Sequence, residues 1–465
     1  MAVKQTMKDL YTTPSLIYKD ERFLTEKMLD VWGGSSTLRL KGTKYLPKAQ
    51  FESETDYEMR LKTLAIKNYL KDAITGYVGR IFSKETTLGD DVNEEACAWW
   101  EDIDLRGNKG DVFFKRVVAA GIRDGIAWVL VDMPVSNAIT LADERQAEVR
   151  PYARLYQKIE AIFVQPDDRG RVIDFRVREI GYRTENMEQK RIERIRRFTP
   201  GRCEVYNVTD DYLESAVDIS FPAEFGVPVV PYITDPAPKA GFYTESPLKD
   251  MADLIIRLWR SQGEQDNSLS VARCPMLFGR GIDVEKFVVS PRSAILTDDP
   301  NAALQWVESS GSALSAGMED INNLQSAIEQ ESLKPLKQVD STRTRYEAKS
   351  DDAKTTSPIK NMADAAQDMI ENVLKYMALW VGESDGGSVT LNSNFDLIDF
   401  DASEASLLMN LRTAGNITRS TLLKEMKRRG VLSDDLDIEA ELEAVSAEGH
   451  GDEPDNYGMG VGISA

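Results

Sequence analysis

The chain has 465 residues, 42% of them hydrophobic and 29% charged, and its formal net charge is −20 at pH 7. This length suffices for about two to four packed units, and the chain has no run of about 18 apolar residues that could span a membrane. Because phosphates repel an acidic protein, the charge argues against a repressor, a polymerase or a packaging protein that grips DNA, but not against a surface that DNA slides past.

The N-terminal part predicts helices. Residues 1–45 are mixed and polar, lack the apolar core of a secretory signal, and predict an arm of short helices with a turn at 33–36. Apolar residues recur three and four positions apart from about 56 to 82, which predicts one long helix. Residues 92–103 predict a short acidic helix that carries two tryptophans.

An αβ unit and a set of strands are predicted next. A helix over 111–124 is followed by Gly125, which tolerates the left-handed geometry of a helix end, and the apolar run 126–131 predicts a buried strand. Residues 150–232 are strand-rich, and residues 172–180 and 190–198 alternate apolar and polar positions, which predicts an antiparallel meander with one wet face. Residues 235–241 predict a linker.

The middle of the chain predicts two helices around a small β-rich insert. Ser246 and Pro247 supply a capping hydroxyl and a proline at the first helical position, so a helix is predicted from there to about Val271. Residues 274–306 are broken by glycines and prolines and predict short strands. A second helix is predicted from about 311 by apolar residues at helical spacing. They are Leu314, Met318, Ile321, Leu324 and Ile328.

The C-terminal third is predicted to be mostly helical. Residues 333–350 reverse the local charge with five basic side chains, and a helix is predicted at 358–381. Two short strands are predicted at 389–391 and 395–398. A charged helical part follows at 403–446, and the last 15 residues or so are predicted to be disordered.

The scarcity of histidine is the most informative feature of the composition. The only histidine is His450, in a tail rich in Gly, Asp and Glu. Its absence elsewhere removes Ser-His-Asp and Cys-His catalysis and nearly every histidine-bearing metal site. Neither a GxxxxGK[ST] phosphate loop nor a GxGxxG after a strand occurs. We therefore predict no catalytic residue, cofactor or metal, which leaves only carboxylate chemistry open to an enzyme.

The cysteines predict a protein made in a reducing cytoplasm. Cys97, Cys203 and Cys274 lie far apart and form no CxxC pair. Three separated cysteines predict three buried free thiols rather than a disulfide framework or a zinc site.

Four sequence segments, taken together with the order of the elements, resemble the portal proteins of tailed bacteriophages. The similarity is to one portal family long catalogued as of unknown function. The first segment is Tyr45-Leu46-Pro47-Lys48 with Glu52, Tyr57 and Arg60, followed by Gly79-Arg80-Ile81-Phe82. The second is Ser246-Pro247-Leu248 with Asp250, Leu254 and Trp259, ending in Ala272-Arg273-Cys274-Pro275. The others are 303–332, and Gly415-Asn416-Ile417-Thr418 with 428–432.

The resemblance implies an α+β fold with the portal architecture, in which a wing, a paired-helix stem, a β-rich clip, a tunnel loop and a helical crown follow one another. The implied wing is at 1–245. The stem helices are at 246–272 and 312–331, with the clip at 273–311 between them. A tunnel loop and return to the wing follow at 332–400, then a crown at 401–450 and a disordered tail at 451–465.

The resemblance also implies a function. About twelve copies would form a ring at one capsid vertex, through which double-stranded DNA is packaged and ejected with only transient, non-specific contact. The implied partners are the terminase large subunit, the major capsid and scaffolding proteins and the head–tail adaptor. The protein is expected to be made in the host bacterial cytoplasm and to reside in the virion, with no membrane contact and no enzymatic activity.

The implied tunnel loop holds the candidates for proximity to passing DNA, because basic side chains can contact phosphates. The alternative is a solvated loop that pairs with nearby acids. The candidates are Lys334, Lys337, Arg343, Arg345 and Lys349, and the acids are Glu347, Asp351 and Asp352.

Other notable residues are predicted to have structural roles. One basic cluster predicts a solvated face or a salt-bridged subunit contact. Another predicts a stabilised helix end, with contact to DNA as the alternative. The tryptophans predict packing rather than base stacking, and three aspartates predict turns and strand ends rather than metal ligands. The first basic cluster is Lys190, Arg191, Arg194, Arg196 and Arg197, and the second is Lys424, Lys427, Arg428 and Arg429. The tryptophans are Trp99, Trp100, Trp259 and Trp306, and the aspartates are Asp132, Asp167 and Asp168.

Two other functions stay open from the sequence. A different connector or a minor head protein would share the acidic balance and the lack of catalytic motifs. A magnesium-dependent nuclease or hydrolase would have to use carboxylates alone, and one Asp-to-Asn change should then abolish a divalent-dependent turnover.

Overall fold

A computed structural model describes residues 7–50, 52–134, 149–185, 187–209, 212–234, 242, 244–273, 276–280, 301, 303–307, 311–332, 345–392, 402–428, 432 and 436–447. The described chain contains helices and mainly antiparallel sheets, so the predicted α+β class is confirmed. It divides into a large unit that ends at Phe395 and a C-terminal unit that begins at Asp396.

Five helices open the large unit. They are α1 (Met7–Thr12), α2 (Leu16–Trp32), α3 (Gly34–Lys41), α4 (Glu54–Thr63) and α5 (Tyr69–Ile81). The Ser15 hydroxyl caps α2 by accepting from the Tyr18 amide. Because Met28 and Val31 of α2 are buried in the main core, this 17-residue helix belongs to the body, and the predicted arm of short helices is wrong for it.

The single helix predicted from 56 to 82 is also wrong. The chain leaves helical geometry at Leu64, where ψ is 128°. Arg39 of α3 donates to the Leu64 carbonyl oxygen at 2.7 and 2.9 Å. The Ser35 hydroxyl accepts from the Ile66 amide and donates to its carbonyl, at 3.0 and 3.1 Å. Asn68 then caps α5 by accepting from the Lys71 amide. Apolar periodicity runs through such a break, because its hydrogen-bond partners come from another helix.

The predicted αβ unit is confirmed. Helix α6 (Glu94–Trp100) precedes α7 (Gly110–Asp124), and Gly125 ends α7 with a φ of 87°. Strand β2 (Ile126–Asp132) is buried throughout and is the middle strand of an antiparallel sheet with β3 (Tyr152–Gln157) and β9 (Val229–Ile233).

The predicted antiparallel meander is confirmed as a five-stranded sheet. Its strands pair in chain order: β4 (Ala161–Pro166), β5 (Val172–Glu185), β6 (Glu188–Thr199), β7 (Arg202–Val208) and β8 (Leu213–Ser220). Its inner face packs on the sheet that contains β2, where the ring centroids of Trp128 and Phe175 lie 5.2 Å apart.

The rest of the large unit follows the predicted order with shifted ends. It comprises α8 (Lys249–Ala272), β10 (Met276–Arg280), β11 (Ala303–Val307), α9 (Gly311–Glu331), α10 (Arg345–Trp380) and β12 (Val389–Thr390), which pairs with β1 (Thr87–Leu88). Helix α8 starts after the predicted Pro247, because the Ser246 hydroxyl accepts from the Leu248 amide in a preceding turn. The strand predicted at 395–398 lies outside the described residues.

The main core lies between helices of the large unit. Helices α2, α5, α7, α8, α9 and α10 contribute to it, and Trp259 of α8 is fully buried there. Tyr232 of β9 is also fully buried and donates to the Met362 carbonyl oxygen of α10 at 3.1 Å. Burying one large apolar side chain contributes about 1.5–3 kcal/mol, so these contacts hold the helices firmly against the sheet.

The C-terminal unit is helical, as predicted. Its described helices are α11 (Ala402–Thr413), α12 (Arg419–Arg428) and α13 (Ile438–Ala447). The tail predicted to be disordered at 451–465 lies outside the described residues. In the part of the chain that the structure describes, no helix has the length and apolarity needed to cross a membrane.

Candidate functional site: the helix pair α8–α9 and its anchor

Helices α8 and α9 pack side by side in opposite directions. Near the end of α8, the Gln265 amide donates to the Leu314 carbonyl oxygen at 2.9 Å. Further back on α8, Arg257 and Ser261 both donate to the Asp320 carboxylate, at 2.8 and 2.9 Å. Residues later in α8 contact residues earlier in α9, so the two helices are antiparallel.

An antiparallel strand pair lies between these helices in the chain. Strands β10 and β11 pair from Met276 opposite Val307 to Arg280 opposite Ala303. The predicted β-rich insert is therefore confirmed for these residues, while 281–300 lie outside the described residues. The helix pair and the strand pair together make the order helix, strand, strand, helix.

Gly317 allows the two helices to approach closely. A Cβ atom at this position would lie 2.2 Å from Gln265 Oε1 and 3.1 Å from its Cδ. Gln265 is buried, and moving its side chain would break the hydrogen bond to Leu314. A buried polar group that loses its partner costs about 1–3 kcal/mol.

We expect Gly317→Ala to lower the free energy of unfolding by about 1–2 kcal/mol, because the Cβ clash and the lost hydrogen bond outweigh alanine's helix propensity. Urea denaturation measures the change. Gly79→Ala on α5 is the matched control, since a Cβ there meets nothing within 4 Å. If Gly317→Ala proves as stable as Gly79→Ala, the close approach is not a structural requirement.

The helix pair carries acids but no bases over most of its length. Between 261 and 272 on α8, and along all of α9, no lysine or arginine occurs. The acids in these stretches are Glu264, Asp266, Glu319, Asp320, Glu329 and Glu331, and most are exposed. Such a surface repels phosphates and offers no cation to hold them.

The middle of α8 is anchored to the segment that contains Tyr45 and Leu46. Arg260 Nε donates to the Tyr45 carbonyl oxygen at 3.0 Å. A Cβ at Gly263 would lie 3.1 Å from Leu64 and 3.2 Å from Leu46, and both leucines are buried. The segment around Tyr45 and Leu46 and the segment of α8, two of the four quoted from the sequence and far apart in the chain, are therefore in direct contact.

A half-buried ion pair stabilises this anchor. The Arg60 guanidinium donates to both Glu52 carboxylate oxygens, at 2.7 and 2.6 Å, and to the Pro47 carbonyl oxygen at 3.2 Å. Tyr57 donates to the Leu46 carbonyl oxygen at 3.0 Å. The Arg60 hydrogen bonds lower the pKa of Glu52. The residues quoted from the motif thus fix the backbone on which α8 packs.

We expect Glu52→Gln to cost about 1–2 kcal/mol of unfolding free energy at pH 7, between the values of exposed and buried pairs. Because the pKa of Glu52 is lower in the folded chain, the pair stabilises the fold above the unfolded pKa of about 4.3, and this stabilisation is lost as pH falls through the folded pKa. The difference between wild type and variant should therefore shrink from pH 7 to pH 3.

Urea midpoints at several pH values check this. Glu58→Gln is the control, because the pair of Glu58 with Lys62 is exposed, and it should change the midpoint little at any pH. A difference between wild type and Glu52→Gln that stays constant from pH 7 to pH 3 would show that the ion pair is not the cause.

A buried lysine ties the segment before α8 to α2 and α7. Lys158 Nζ donates to Glu21 Oε1 at 3.0 Å, and to the carbonyl oxygens of Asp124 and Thr244 at 3.2 and 2.5 Å. The Thr244 amide donates to the same Glu21 oxygen at 3.0 Å. Neither Lys158 nor Glu21 could be singled out beforehand, because nothing in their local sequence sets them apart from surface charges.

The predicted DNA-proximal residues are only partly described. Lys334, Lys337 and Arg343 lie outside the described residues, whereas Arg345 and Lys349 lie on α10. The loop prediction is therefore wrong for 345–350, and so is the helix start predicted at 358. Helix formers such as Arg, Glu, Ala and Lys precede Pro358, which is accommodated inside the helix at the loss of one backbone hydrogen bond.

Arg196 and Arg197 of the basic cluster on β6 form salt bridges within the chain, whereas the two predicted interpretations were a solvated face and a salt-bridged subunit contact. Arg196 pairs with Asp132 at 3.0 Å and with Glu179 at 3.2 Å. Arg197 pairs with Asp174 at 2.9 Å. Asp132 is thus the partner of an arginine at the end of its strand.

The other residues singled out from the sequence have local roles. Asp167 accepts from the backbone amides of Arg169 and Arg171, which fits the predicted turn. Lys427, near the end of α12, donates to the Leu436 carbonyl oxygen at 2.9 Å, which lies outside its own helix. Trp100 and Trp259 are buried and Trp99 packs against the core, which confirms packing for these three, whereas the side chain of Trp306 lies outside the described part.

The cysteines differ from one another. Cys203 is buried, and burial raises the pKa of its thiol to about 12. Cys97 is exposed, so the prediction of three buried thiols is wrong for it, because one face of the short helix α6 is open to solvent. Cys274 lies outside the described residues. Among those described, no group of three or more His, Cys, Asp or Glu side chains is placed to hold a metal ion.

Part of the chain matches a family of unknown function. Residues 247–381, less than a third of the chain, match the family described as "Domain of unknown function (DUF4055)". This match spans α8, the strand pair, α9 and α10. No curated protein matches.

Two solved structures are similar at low identity. A chain of the "Virion of native gene transfer agent (GTA) particle" is 11% identical with a TM-score of 0.42, and the match covers 84% of this chain and 98% of that one. A chain of the "Neck of empty GTA particle computed with C6 symmetry" is 12% identical with a TM-score of 0.42, covering 82% and 95%. Likeness at this level carries no argument about function.

Proposed function

We propose that this chain is a phage portal protein, a virion structural protein of which about twelve copies form a ring at one capsid vertex. Double-stranded DNA passes through the ring during packaging and ejection. The ring is a passive channel rather than an enzyme. It docks the terminase large subunit and later the head–tail adaptor, and it sits within the shell of capsid and scaffolding proteins.

The observation that carries the proposal is the unit formed by α8, the β10–β11 pair and α9. Its helices are antiparallel, bonded to each other through Asp320 and Gln265, and acidic without basic residues over most of their length. A channel wall that must let DNA slide needs this property, because phosphates carry about one charge per 1.7 Å of duplex axis. Repetition around a ring multiplies the repulsion.

The anchor of α8 supports the same function. A channel wall under load from moving DNA must not tilt independently of the body of its subunit. Arg260, Gly263 and the Lys158 cluster hold α8 and the segment before it at separate points. The residues of the sequence resemblance supply one of these attachments.

The double variant Lys334→Glu with Lys337→Glu tests the role assigned to the tunnel-loop cations. We expect it to change DNA packaging while ring assembly stays intact, because the charge reversal adds repulsion where phosphates pass. Packaged DNA per particle is the readout, and electron microscopy of purified protein monitors assembly. Lys62→Glu with Lys67→Glu, two exposed lysines of the body, is the control. Normal packaging by the first variant would contradict the assigned contact.

A further inference from the structure

Strands β5 and β6 continue beyond the sheet to which they belong. They pair without interruption from Phe175 opposite Phe198 to Glu185 opposite Glu188. The pairing of β4 with β5 ends at Val177, and that of β7 with β6 ends at Glu193. We call the remaining described part, residues 181–185 and 187–192, the ribbon. Its five residue pairs extend about 16 Å, at about 3.3 Å per residue.

The ribbon has the properties of a contact surface. Among the strands that the structure describes, none pairs with either of its edges. Tyr182 is 65% exposed, Met187 at the turn is 99% exposed, and Ile180 at its base is 52% exposed. A two-stranded ribbon is marginally stable alone, and open edges with exposed apolar side chains favour association.

The charge of these strands indicates the partner. The ribbon has three basic and two acidic residues, a net charge of 3 − 2 = +1, whereas the whole chain carries −20. The remainder of the chain therefore carries −20 − 1 = −21. A projection of net positive charge on an acidic protein is complementary to another copy of the same protein. Glu185 and Glu188 at its tip disfavour nucleic acid as the partner.

We propose that the ribbon docks on the acidic surface of a second copy of this chain and is a subunit contact of the assembly. Exposed Tyr182 and the open strand edges supply the contact, and the basic side chains select the acidic neighbour. The inference rests on the proposed function only in that identical copies assemble, and it holds for any such assembly with or without a channel.

Sedimentation of the wild type and two double variants tests the contact. Tyr182→Ser with Arg191→Glu should weaken self-association at least about tenfold. Tyr212→Ser with Arg169→Glu is the control, because Tyr212 is 61% exposed, Arg169 is exposed, and both residues lie next to strands of the same sheet. The control should assemble like the wild type. Equal assembly of both variants, or equal loss in both, would overturn the proposal.

Cross-linking from the tip provides a second measurement. Met187→Cys, in a background with Cys97→Ser and Cys274→Ser, is labelled with a maleimide photo-cross-linker. Intermolecular products are expected, and exclusively intramolecular products, or none, would overturn the proposal. Cross-linked assemblies without a central hole would support the ribbon contact and contradict the portal. If the ribbon variant still forms the same closed rings as the wild type, the portal is supported and the ribbon contact is contradicted.

Discussion

Lys158→Met is expected to lower the free energy of unfolding by about 3–5 kcal/mol, the cost of leaving a buried charge without its partner. Lys158 is the only cation that donates to the Glu21 carboxylate in the described part of the chain, and Glu21 is 4% exposed. The methionine also leaves the carbonyl oxygens of Asp124 and Thr244 without this donor. The attachment of the segment before α8 to α2 and α7 is therefore lost.

The pH dependence of this variant follows from the same contacts. Burial raises the pKa of Glu21 even with Lys158 present, and removing the cation raises it further. Because the folded chain then binds a proton that the unfolded chain releases, the stability of the variant should fall as pH rises above the unfolded pKa of about 4.3. The loss is therefore expected to be larger at pH 8 than at pH 5.

Urea denaturation at fixed protein concentration measures both effects. Lys62→Met is the control, since Lys62 and its partner Glu58 are 75% and 60% exposed, and it should change stability by less than about 0.5 kcal/mol. Adding Glu21→Gln to Lys158→Met removes the unpaired charge and should restore part of the loss. A Lys158→Met protein as stable as Lys62→Met would show that the cluster does not hold this segment.

Gly125→Ala is expected to cost about 3 kcal/mol, from two separate causes. Gly125 has a φ of 87°, where an alanine is strained by about 1–2 kcal/mol. Its Cβ would also lie 2.7 Å from the carbonyl carbon of Glu245, and backbone cannot move aside as a side-chain end can. This overpacking adds about 1–3 kcal/mol and pushes the segment before α8 away from the end of α7.

Gly170→Ala separates the two causes. Gly170 has a φ of 82°, but a Cβ there meets nothing within 4 Å, so this variant carries the backbone strain alone. Thermal unfolding of both variants should show Gly125→Ala less stable by about 2 kcal/mol. Equal melting temperatures would mean that the contact with Glu245 yields without cost.

Local signals predicted the elements that depend on neighbouring residues. Helix α7, the glycine at its end and β2 follow from periodicity and from the tolerance of Gly125 for positive φ. The stripe on α9 was predicted as one apolar face, and Ile321, Leu324 and Ile328 are buried while Met318 is exposed. The apolar spacing predicted helix α9, but which of these apolar residues are buried depends on where α9 contacts α8.

Features that depend on distant partners could not be predicted in this way. The break between α4 and α5 is fixed by Ser35 and Arg39, and the lysine of the buried cluster meets a glutamate 137 residues away. The meander was predicted, but the projection of the ribbon beyond it depends on where β4 and β7 end. Helix α10 starts before the predicted residue 358, because a long helix can accommodate Pro358 in its interior.

Negative-stain electron microscopy with class averaging of the purified protein tests the portal function most directly. If the protein is a portal, the images should show rings of about twelve subunits around a central hole wide enough for duplex DNA. A stable assembly with no central hole would contradict it, and a minor head protein would then be the better interpretation.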